Sequence, residues 1–265
     1  IDEYLHGRTP NPCIACNRYV KWESLLRRSI DIGADYIATG HYARIEERDG
    51  HVYLAQAADT KKDQTYFLWM LTEEQLRRTI FPLGDLTKDQ VRDIARQHGY
   101  IKLAEKRESQ EICFIPDNDY RAFLRANVPD YNERVRAGEY VDAHGNVLGR
   151  HEGFVNYTIG QRKGLGIALG QPAYVTHIDA VTNRVTLGTN EDLFATQLQY
   201  QIVRALRTVN DTAISARIRY RSQAVPVQKI DGNCLLFAAP VWGIPPGQSI
   251  VFYQDGLVIG GGIIR

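Results

Sequence analysis

Asp35-Tyr-Ile-Ala-Thr-Gly-His41 is the stretch that decides the first part of the fold. Its apolar run predicts a short buried strand, and Gly40 and His41 follow at the carboxyl end of that strand. A helix that is capped at Asn17 and stops at Gly33 is predicted before it. In open α/β sheets, ligands bind at the carboxyl ends of strands. The pattern therefore predicts an α/β fold with a ligand-binding edge at this point.

The following residues continue the mixture of strands and helices. His51–Ala57 is predicted as a strand and Gln64–Leu71 as a helix. Capping boxes open two further helices, at Thr72-Glu-Glu-Gln75 and Thr87-Lys-Asp-Gln90. Glu111–Ile115 is predicted as another short strand. We therefore expect α/β structure through about residue 117.

The remainder of the chain changes in character. Ala173–Ala180 and Arg184–Gly188 are predicted to form a hairpin within a mixed, glycine-rich segment. Further on, Asp231-Gly232 and Asp255-Gly256 each separate two apolar runs, and this is a strong hairpin signal. Short strands at such spacing predict a small β-barrel. The expected domains are 1–117, 118–196 and 197–265.

The composition limits the class of protein. The chain has 265 residues, 24% of them charged, and a net charge of +1. No apolar run approaches the ~20 residues of a membrane span, so no membrane partner is expected. Four cysteines are too few for a disulfide scaffold in a chain of this length, which favours a reducing, cytoplasmic location. Residues 197–265 carry seven Lys and Arg against three acids, which is typical of a nucleic-acid contact.

Two cysteines lie at the mouth of the first predicted helix, in Asn11-Pro-Cys-Ile-Ala-Cys-Asn17. Free amides at a helix start favour a thiolate, so this pair is predicted to be reactive. A structural zinc would need four ligands, and neither a second Cys-x-x-Cys nor histidines at ligand spacing accompany the pair. Cys113 and Cys234 lie in apolar runs, and spacing alone predicts that both are inert core residues.

Three polar motifs stay open on spacing alone. Lys61-Lys-Asp-Gln64 fits either a phosphate or base contact or a solvated loop. Arg217-Ile-Arg-Tyr-Arg221 would place three arginines on one face of a strand, which suits an RNA backbone or a charged sheet edge equally well. Arg162-Lys163 stands among glycines and could meet phosphate through exposed amides and two cations.

Six segments together resemble the tRNA-specific 2-thiouridylase family, and they follow that family's order over nearly the whole chain. They are Thr9-Pro-Asn-Pro-Cys-Ile-Ala-Cys-Asn17, Ala38-Thr-Gly-His-Tyr-Ala-Arg44, Lys62-Asp-Gln-Thr-Tyr-Phe-Leu68, Ile112-Cys-Phe-Ile115, Tyr157-Thr-Ile-Gly-Gln-Arg-Lys-Gly-Leu-Gly166 and Pro246-Gly-Gln248. The resemblance implies an α/β ATP-pyrophosphatase domain (PP-loop, adenine nucleotide alpha hydrolase-like), then a small mixed central domain and a C-terminal β-barrel. The family's Ser-Gly-Gly-Val-Asp-Ser phosphate loop does not occur here, so we expect only the C-terminal part of the first domain.

The resemblance also implies a reaction. ATP, with Mg²⁺ as counter-ion, would adenylate the 2-position oxygen of the wobble uridine in tRNAs for Lys, Glu and Gln. A persulfide on Cys113 would then displace AMP, and Cys16 would close a disulfide with Cys113. The sulfur would come from a cysteine desulfurase or a sulfur-relay protein.

By matching motif, the resemblance implies further contacts. Gly40 would touch ATP. The expected contacts to the target base are Asn11, Pro12 and Cys13, and those to the rest of the tRNA are His41, Lys62, Asp63, Gln64, Arg219, Tyr220 and Gln248.

Cys13 departs from the family pattern, because many members have Asp at this position. That Asp is thought to assist activation of the base, and a thiol cannot replace its carboxylate as a general base in the same way. Cys13 also supplies a third thiol. Cys13, Cys16 and Cys113 together would suit three irons of a 4Fe–4S cluster, which we treat as a hypothesis for this variant.

Two other classes of protein stay open at this point. A pure RNA-binding module would bind tRNA without forming AMP. A thiol–disulfide oxidoreductase that uses Cys13 and Cys16 would keep its activity when Cys113 is replaced by Ser.

Because no phosphate loop occurs in residues 1–265, we expect these residues by themselves not to adenylate tRNA. The measurement is AMP release from labelled ATP in the presence of substrate tRNA. Detectable AMP formation by residues 1–265 alone would contradict this expectation.

Overall fold

The computed structural model describes residues 1–106, 112–113, 115 and 119–265. Its helices surround two small sheets and one large one. The helices are α1 (Asp2–Leu5), α2 (Pro12–Ala15), α3 (Leu26–Asp31), α4 (Thr65–Leu68), α5 (Glu73–Arg77), α6 (Lys88–Gln97), α7 (Ile101–Glu105), α8 (Tyr120–Asn127) and α9 (Tyr131–Arg134). Among the described residues, no helix is long and apolar enough to cross a membrane.

The cysteine pair lies on a continuous helical segment that begins earlier than predicted. Helix α2 starts with Pro12 in its first turn, continues as a π-helical stretch over Cys16–Leu25, and ends as α3. Pro is favoured in a first turn because its missing N–H has no helical acceptor there. Asn17 is therefore inside the helix and is buried, so its predicted role as the cap is wrong. Gly33, with φ of +89°, ends the segment as predicted.

The strands are numbered in chain order. They are β1 (Ile37–Ala38), β2 (Arg44–Arg48), β3 (His51–Ala55), β4 (Thr79–Ile80), β5 (Gly138–Val141), β6 (Val147–His151), β7 (Tyr174–Asp179), β8 (Arg184–Gly188), β9 (Phe194–Arg204), β10 (Ser215–Arg217), β11 (Val225–Asp231), β12 (Cys234–Trp242), β13 (Ser249–Gln254) and β14 (Leu257–Ile264).

The predicted buried strand at 35–39 is shorter and more exposed than expected. Strand β1 holds only two residues and pairs in parallel with β4. Ala38 is exposed and Ile37 is half-buried. Gly40 and His41 still follow the carboxyl end of β1, as the sequence predicted.

Both predicted capping boxes are present. Thr72 accepts from the Gln75 backbone amide and Gln75 accepts in return from the Thr72 amide, which opens α5. Thr87 and Gln90 do the same at α6. Each pair satisfies two of the amides that a helix start leaves without partners.

The C-terminal part is a closed barrel, which confirms the predicted architecture. Six strands follow the order β13-β10-β11-β12-β9-β14, and pairing of β13 with β14 closes the ring. The hairpins at Asp231-Gly232 and Asp255-Gly256 connect β11 to β12 and β13 to β14. Asp255 and Gly256 both have positive φ, as a tight two-residue turn requires.

The hairpin of β2 and β3 lies beside this barrel, although it comes from the first part of the chain. Ala55 of β3 pairs with Leu257 of β14. The large sheet therefore contains eight strands, with β3 and β2 added at its edge. Hydrogen bonds thus cross the predicted boundary at residue 117, and the domain limits stay predictions.

The central part forms a four-stranded sheet in the order β6-β5-β8-β7. Strands β7 and β8 form the antiparallel hairpin predicted from the sequence. The start of the chain also packs here, because Tyr4 stacks on Tyr120 with ring centroids 5.2 Å apart. Leu124, Tyr140 and Val175 are fully buried in the core of this part.

The central part and the barrel meet at Trp242. Gly160 lies directly against its indole, so that a Cβ on Gly160 would be 2.5 Å from Cη2 of Trp242. The Arg219 guanidinium lies 5.3 Å from the Trp242 ring and donates to the carbonyls of Ile159 and Gly243. This single arginine therefore connects the two parts through their backbones.

Gly160 and Gly164 provide a matched test of this contact. Both have positive φ, but Gly164 has only the side-chain amide nitrogen of Gln161 near its Cβ position, 4.0 Å away. Gly164→Ala should cost only the backbone strain, about 1–2 kcal/mol, whereas Gly160→Ala adds an overpacking cost of about 1–3 kcal/mol. Thermal unfolding of both variants measures the difference, and equal losses would contradict the close contact.

Candidate functional site

The segment before the cysteine pair is held by the Pro246-Gly-Gln248 turn of the barrel. The Thr9 amide donates to the Pro246 carbonyl at 2.8 Å, and the Gln248 side chain donates to the Thr9 carbonyl at 2.8 Å. The Tyr66 hydroxyl approaches the Gln248 side-chain oxygen at 3.4 Å. Two of the six motifs, 239 residues apart at Thr9 and Gln248, are thereby brought together.

Asn11 and Pro12 shape the start of the cysteine helix. Asn11 is extended and stands at the cap position without a side-chain capping bond, and Pro12 occupies the first turn. The Asn11 carbonyl accepts from the Ile14 amide at 3.2 Å. Both residues are half-buried. Their expected contact with the target base stays a prediction.

Cys13 and Cys113 interact electrostatically although they are far apart in the sequence. The pKa of the Cys13 thiol is raised, chiefly by burial, then by the charges of Cys113 and Cys16. Lys21 opposes this shift only in part. The expectation that the helix start would make Cys13 a thiolate is therefore wrong, because loss of solvation outweighs the helix amides.

Cys113 lies in a turn and not in the predicted strand. The Ile115 amide donates to the Ile112 carbonyl at 2.9 Å, which places Cys113 within the turn, and its side chain is exposed. Its assignment as an inert core residue from spacing alone is therefore wrong as well. The other residues of the predicted strand Glu111–Ile115 lie outside the described residues, apart from Ile112 and Ile115. All four cysteines are free thiols.

The three thiols do not form a metal site in the described structure. Within 1–106, 112–113, 115 and 119–265, no group of three His, Cys, Asp or Glu side chains is placed to hold a metal ion. Cys13, Cys16 and Cys113 all belong to these residues. Their arrangement therefore does not fit a 4Fe–4S cluster.

An aromatic cluster lies beside the cysteine helix. Helix α2 packs against α4, and the Asn17 side chain donates to the Phe67 carbonyl at 3.0 Å. The Phe67 ring lies 4.1 Å from the ring of Tyr220, centroid to centroid. Both rings are only partly buried. Phe67 lies within the Lys62–Leu68 motif, but spacing could not mark it as a site residue because its partner Tyr220 comes from a different part of the chain.

His41, which follows Gly40 in the chain, is connected to the cysteine helix through Trp22, which lies on the same π-helical stretch as Cys16. His41 packs against Trp22 with ring centroids 5.6 Å apart, and burial lowers its pKa to about 4. His41 is therefore neutral at pH 7. Gly40 is exposed beside it.

Asp63 has a structural position that the sequence did not indicate. Its carboxylate is fully buried and accepts from the Ala57 amide at 3.1 Å and from the Thr65 hydroxyl at 2.7 Å. It also pairs with the Arg217 guanidinium at 3.1 Å. A direct contact between this carboxylate and tRNA stays a prediction.

The neighbours of Asp63, Lys62 and Gln64, are only half-buried. The Lys62 amide donates to the Asp59 carbonyl at 3.0 Å. Gln64 exchanges two bonds with Tyr42, one through its amide at 2.8 Å and one through its side-chain oxygen at 3.0 Å. The loop that carries Lys62 is therefore fixed on both sides.

The predicted basic stripe over 217–221 is wrong. Strand β10 ends at Arg217, so the following residues do not alternate on one sheet face. Arg217 points inward to Asp63, and Arg219 is half-buried between the central part and the barrel. Arg221 is exposed. Sequence periodicity failed here because the chain leaves the sheet within the motif.

The structural role of Asp63 and the proposed tRNA-binding role of Lys62 can be tested separately. Asp63→Asn removes a buried charge from Arg217 and should destabilise the fold by about 3 kcal/mol. Lys62→Ala leaves the buried pair intact and should cost no more than about 1 kcal/mol while weakening tRNA binding. Denaturant unfolding and tRNA titration measure the two effects. An Asp63→Asn protein of unchanged stability would contradict the anchoring role.

Comparisons with known proteins agree with this arrangement. Three family profiles match in order: "tRNA methyl transferase HUP domain" over residues 1–117, "tRNA methyl transferase PRC-barrel domain" over 123–189, and "Aminomethyltransferase beta-barrel domain" over 191–264. The fold class expected from the sequence is confirmed by these matches.

Several relatives are similar to the chain over its whole length. Proteins named tRNA-specific 2-thiouridylase MnmA from Clostridium perfringens and Lachnoclostridium phytofermentans are each 48% identical, and the match covers 100% of this chain and 75% of theirs. The protein of the same name from Natranaerobius thermophilus is 48% identical, with 73% of its length covered. The chain therefore belongs to the tRNA-specific 2-thiouridylase family, which are sulfurtransferases acting on tRNA.

Proposed function

We propose that this chain carries the sulfur-transfer centre of a tRNA 2-thiouridylase, with Cys113 as the persulfide carrier and Cys16 as the thiol that resolves it. One observation carries the proposal. The Cys113 thiol is exposed in a turn, and after burial it is the next largest cause of the raised pKa of Cys13. An exposed thiol can receive sulfur from a donor protein, and its electrostatic effect on Cys13 supports a role together with the helix that carries Cys16.

The proposed steps balance as follows. The terminal sulfur of the Cys113 persulfide attacks C2 of the adenylated wobble uridine of a tRNA for Lys, Glu or Gln, and the C2–O bond breaks to release AMP. The Cys16 thiolate then attacks Sγ of Cys113, and the persulfide S–S bond breaks. The outer sulfur stays on C2 as the thiocarbonyl. A disulfide between Cys16 and Cys113 remains, and an external thiol must reduce it before the next turnover.

Cys13 is proposed to assist by position and not as a base. Burial and the neighbouring thiols raise its pKa, so it stays protonated near neutral pH. A protonated thiol cannot accept the proton that a carboxylate would accept at this position. It can donate a weak hydrogen bond to the uridine or to the persulfide.

The ATP-dependent step is proposed from the family and from the strand end. The HUP type of domain implies ATP use. Gly40 is exposed after β1, where the absence of a Cβ lets a nucleotide approach the backbone. Mg²⁺ would accompany the ATP phosphates. The proposed chemistry does not use a 4Fe–4S cluster, because no three His, Cys, Asp or Glu side chains of the described residues form a metal-ligand set.

The tRNA surface is proposed to run across the junction of the three parts. Lys62, His41 and Gln248 lie on segments joined to the cysteine helix through the contacts described above. The partly exposed pair of Phe67 and Tyr220 offers an aromatic surface on which an unpaired base can stack. Arg219, the residue before Tyr220, fixes this segment through its bonds to the Ile159 and Gly243 carbonyls. A cysteine desulfurase or a relay protein would supply sulfur at Cys113.

Cysteine variants test the assignment in a chain that also carries the family's phosphate loop. Cys113→Ser should lower the 2-thiouridine yield by at least about a thousandfold, because the sulfur carrier is lost. Cys16→Ser should abolish multiple turnover, and Cys13→Ser should stay within about tenfold of wild type. The readout is 2-thiouridine per tRNA after incubation with ATP, substrate tRNA, a cysteine desulfurase and a thiol reductant.

Cys234→Ser in the barrel is the matched control and should behave as wild type. A Cys113→Ser protein that retains full activity would overturn the proposal in favour of a thiol–disulfide role for Cys13 and Cys16. Iron and sulfide analysis of the active protein, prepared without oxygen, tests the cluster route. Stoichiometric iron that is required for activity would replace the persulfide mechanism.

A further inference from the structure

A glycine loop in the central part, Gly160–Gly166, is not used by the proposed chemistry. Gly160, Gly164 and Gly166 all have positive φ, so the backbone makes several turns that other residues rarely adopt. Arg162 and Lys163 stand between these glycines and are exposed. The loop combines two cations with a sharply turning backbone.

The loop is held firmly at both ends. The Gly160 amide donates to the Val175 carbonyl at 2.8 Å, and the Val175 amide donates to the Gln161 carbonyl at 2.9 Å. The Gln161 side chain donates to the Lys163 carbonyl at 3.0 Å, which closes the turn from inside. The Leu165 carbonyl accepts from the buried Tyr140 hydroxyl at 2.6 Å. The cations are therefore presented on a fixed backbone.

The tip of the loop has no partner within the described residues. Neither Arg162 nor Lys163 forms an ion pair or a side-chain hydrogen bond there, although many other arginines are paired with carboxylates. In that same part of the chain, the amides of Arg162, Lys163 and Gly164 donate to no backbone or side-chain acceptor. Free backbone amides beside two cations are the groups that bind an anion in such turns.

A hollow opens beside the loop. Its volume is about 440 Å³, and its lining combines Arg162 with the small or apolar residues Ile167, Leu169 and Pro172. A cavity of this volume has room for a ribose or base next to the tip. A free inorganic anion would leave this space unused.

The loop is connected to the sulfur-transfer centre through short contacts. Arg219 donates to the Ile159 carbonyl immediately before the loop, and the ring of the next residue, Tyr220, packs at a tilt against Phe67 beside the cysteine helix. Gly160 packs on Trp242 of the barrel at the same junction. The loop and the cysteine helix are therefore linked by one chain of packed side chains.

We propose that Gly160–Gly166 is a backbone-phosphate clamp for the tRNA, in which Arg162, Lys163 and the free amides hold a phosphate and the hollow receives the adjoining nucleoside. The proposal rests on the proposed function for the identity of the RNA. It predicts contacts that are independent of base sequence, because phosphate contacts position RNA without reading bases. Arg162 and Lys163 are positioning residues and take no part in sulfur transfer.

The test is tRNA binding by the protein across a range of salt concentrations. Each phosphate contact contributes about 0.7–0.9 to the slope of log K against log salt, so Arg162→Ala/Lys163→Ala should reduce its magnitude by about 1.4–1.8. Affinity near 0.1 M salt should fall by about ten- to fiftyfold. The exchange Arg162→Lys/Lys163→Arg keeps both charges and should keep the wild-type slope.

Arg125→Ala/Arg134→Ala is the matched control, because both arginines are exposed on helices of the same central part. It removes the same net charge and should leave the slope within about 0.5 of wild type. Circular dichroism and thermal unfolding confirm that each variant is folded. An unchanged slope and affinity in the Arg162→Ala/Lys163→Ala protein, or an equal loss in the control, would overturn the clamp.

Failure of the phosphate clamp can be distinguished from failure of the proposed sulfur transfer. The binding measurement uses neither ATP nor a sulfur donor, so the clamp can fail while wild type still forms 2-thiouridine. Conversely, Cys113→Ser should bind tRNA with the wild-type slope. If the Arg162→Lys/Lys163→Arg protein lost a preference of wild type for tRNAs with one particular base, the loop would be reading that base. This result would also overturn the proposal.

Discussion

The buried ion pair between Asp63 and Arg217 is the interaction on which the rest of the site depends. A fully buried charge must be paired and hydrogen-bonded, and breaking such a pair costs about 3–5 kcal/mol. Asp63 satisfies this requirement with the Ala57 amide, the Thr65 hydroxyl and Arg217. Because Arg217 belongs to the barrel, the loop that carries Lys62 and Gln64 is fixed to a part of the chain about 150 residues away.

Arg219 provides the second fixed point, between the barrel and the central part. Desolvation lowers the pKa of its guanidinium, yet an arginine stays charged under all ordinary conditions. Its two carbonyl contacts and the Trp242 ring compensate for the lost solvation. The two arginines of one short motif thus hold three parts of the chain together. The surface left beside them is where RNA contacts are proposed, at Phe67 and Tyr220 and on the Gly160–Gly166 loop.

The cysteines show how burial changes chemistry that a motif alone predicts. A helix start favours a thiolate, but Cys13 is half-buried and has two other thiols nearby, so its pKa is raised. Cys113 is exposed and therefore accessible to a sulfur donor. This contrast separates a protonated neighbour from an accessible sulfur carrier within one small region.

The sequence by itself determined the family, the α/β and barrel architecture, both capping boxes and the hairpins. These features depend on local turn chemistry and on motifs whose residues are adjacent in the chain. Only the tertiary structure decided that Asp63 and Arg217 form a buried pair, that Arg219 joins two parts, and that Cys113 lies in an exposed turn. The physical reason is that solvation and pairing of a charge depend on distant segments, and local sequence spacing carries no information about which segment arrives.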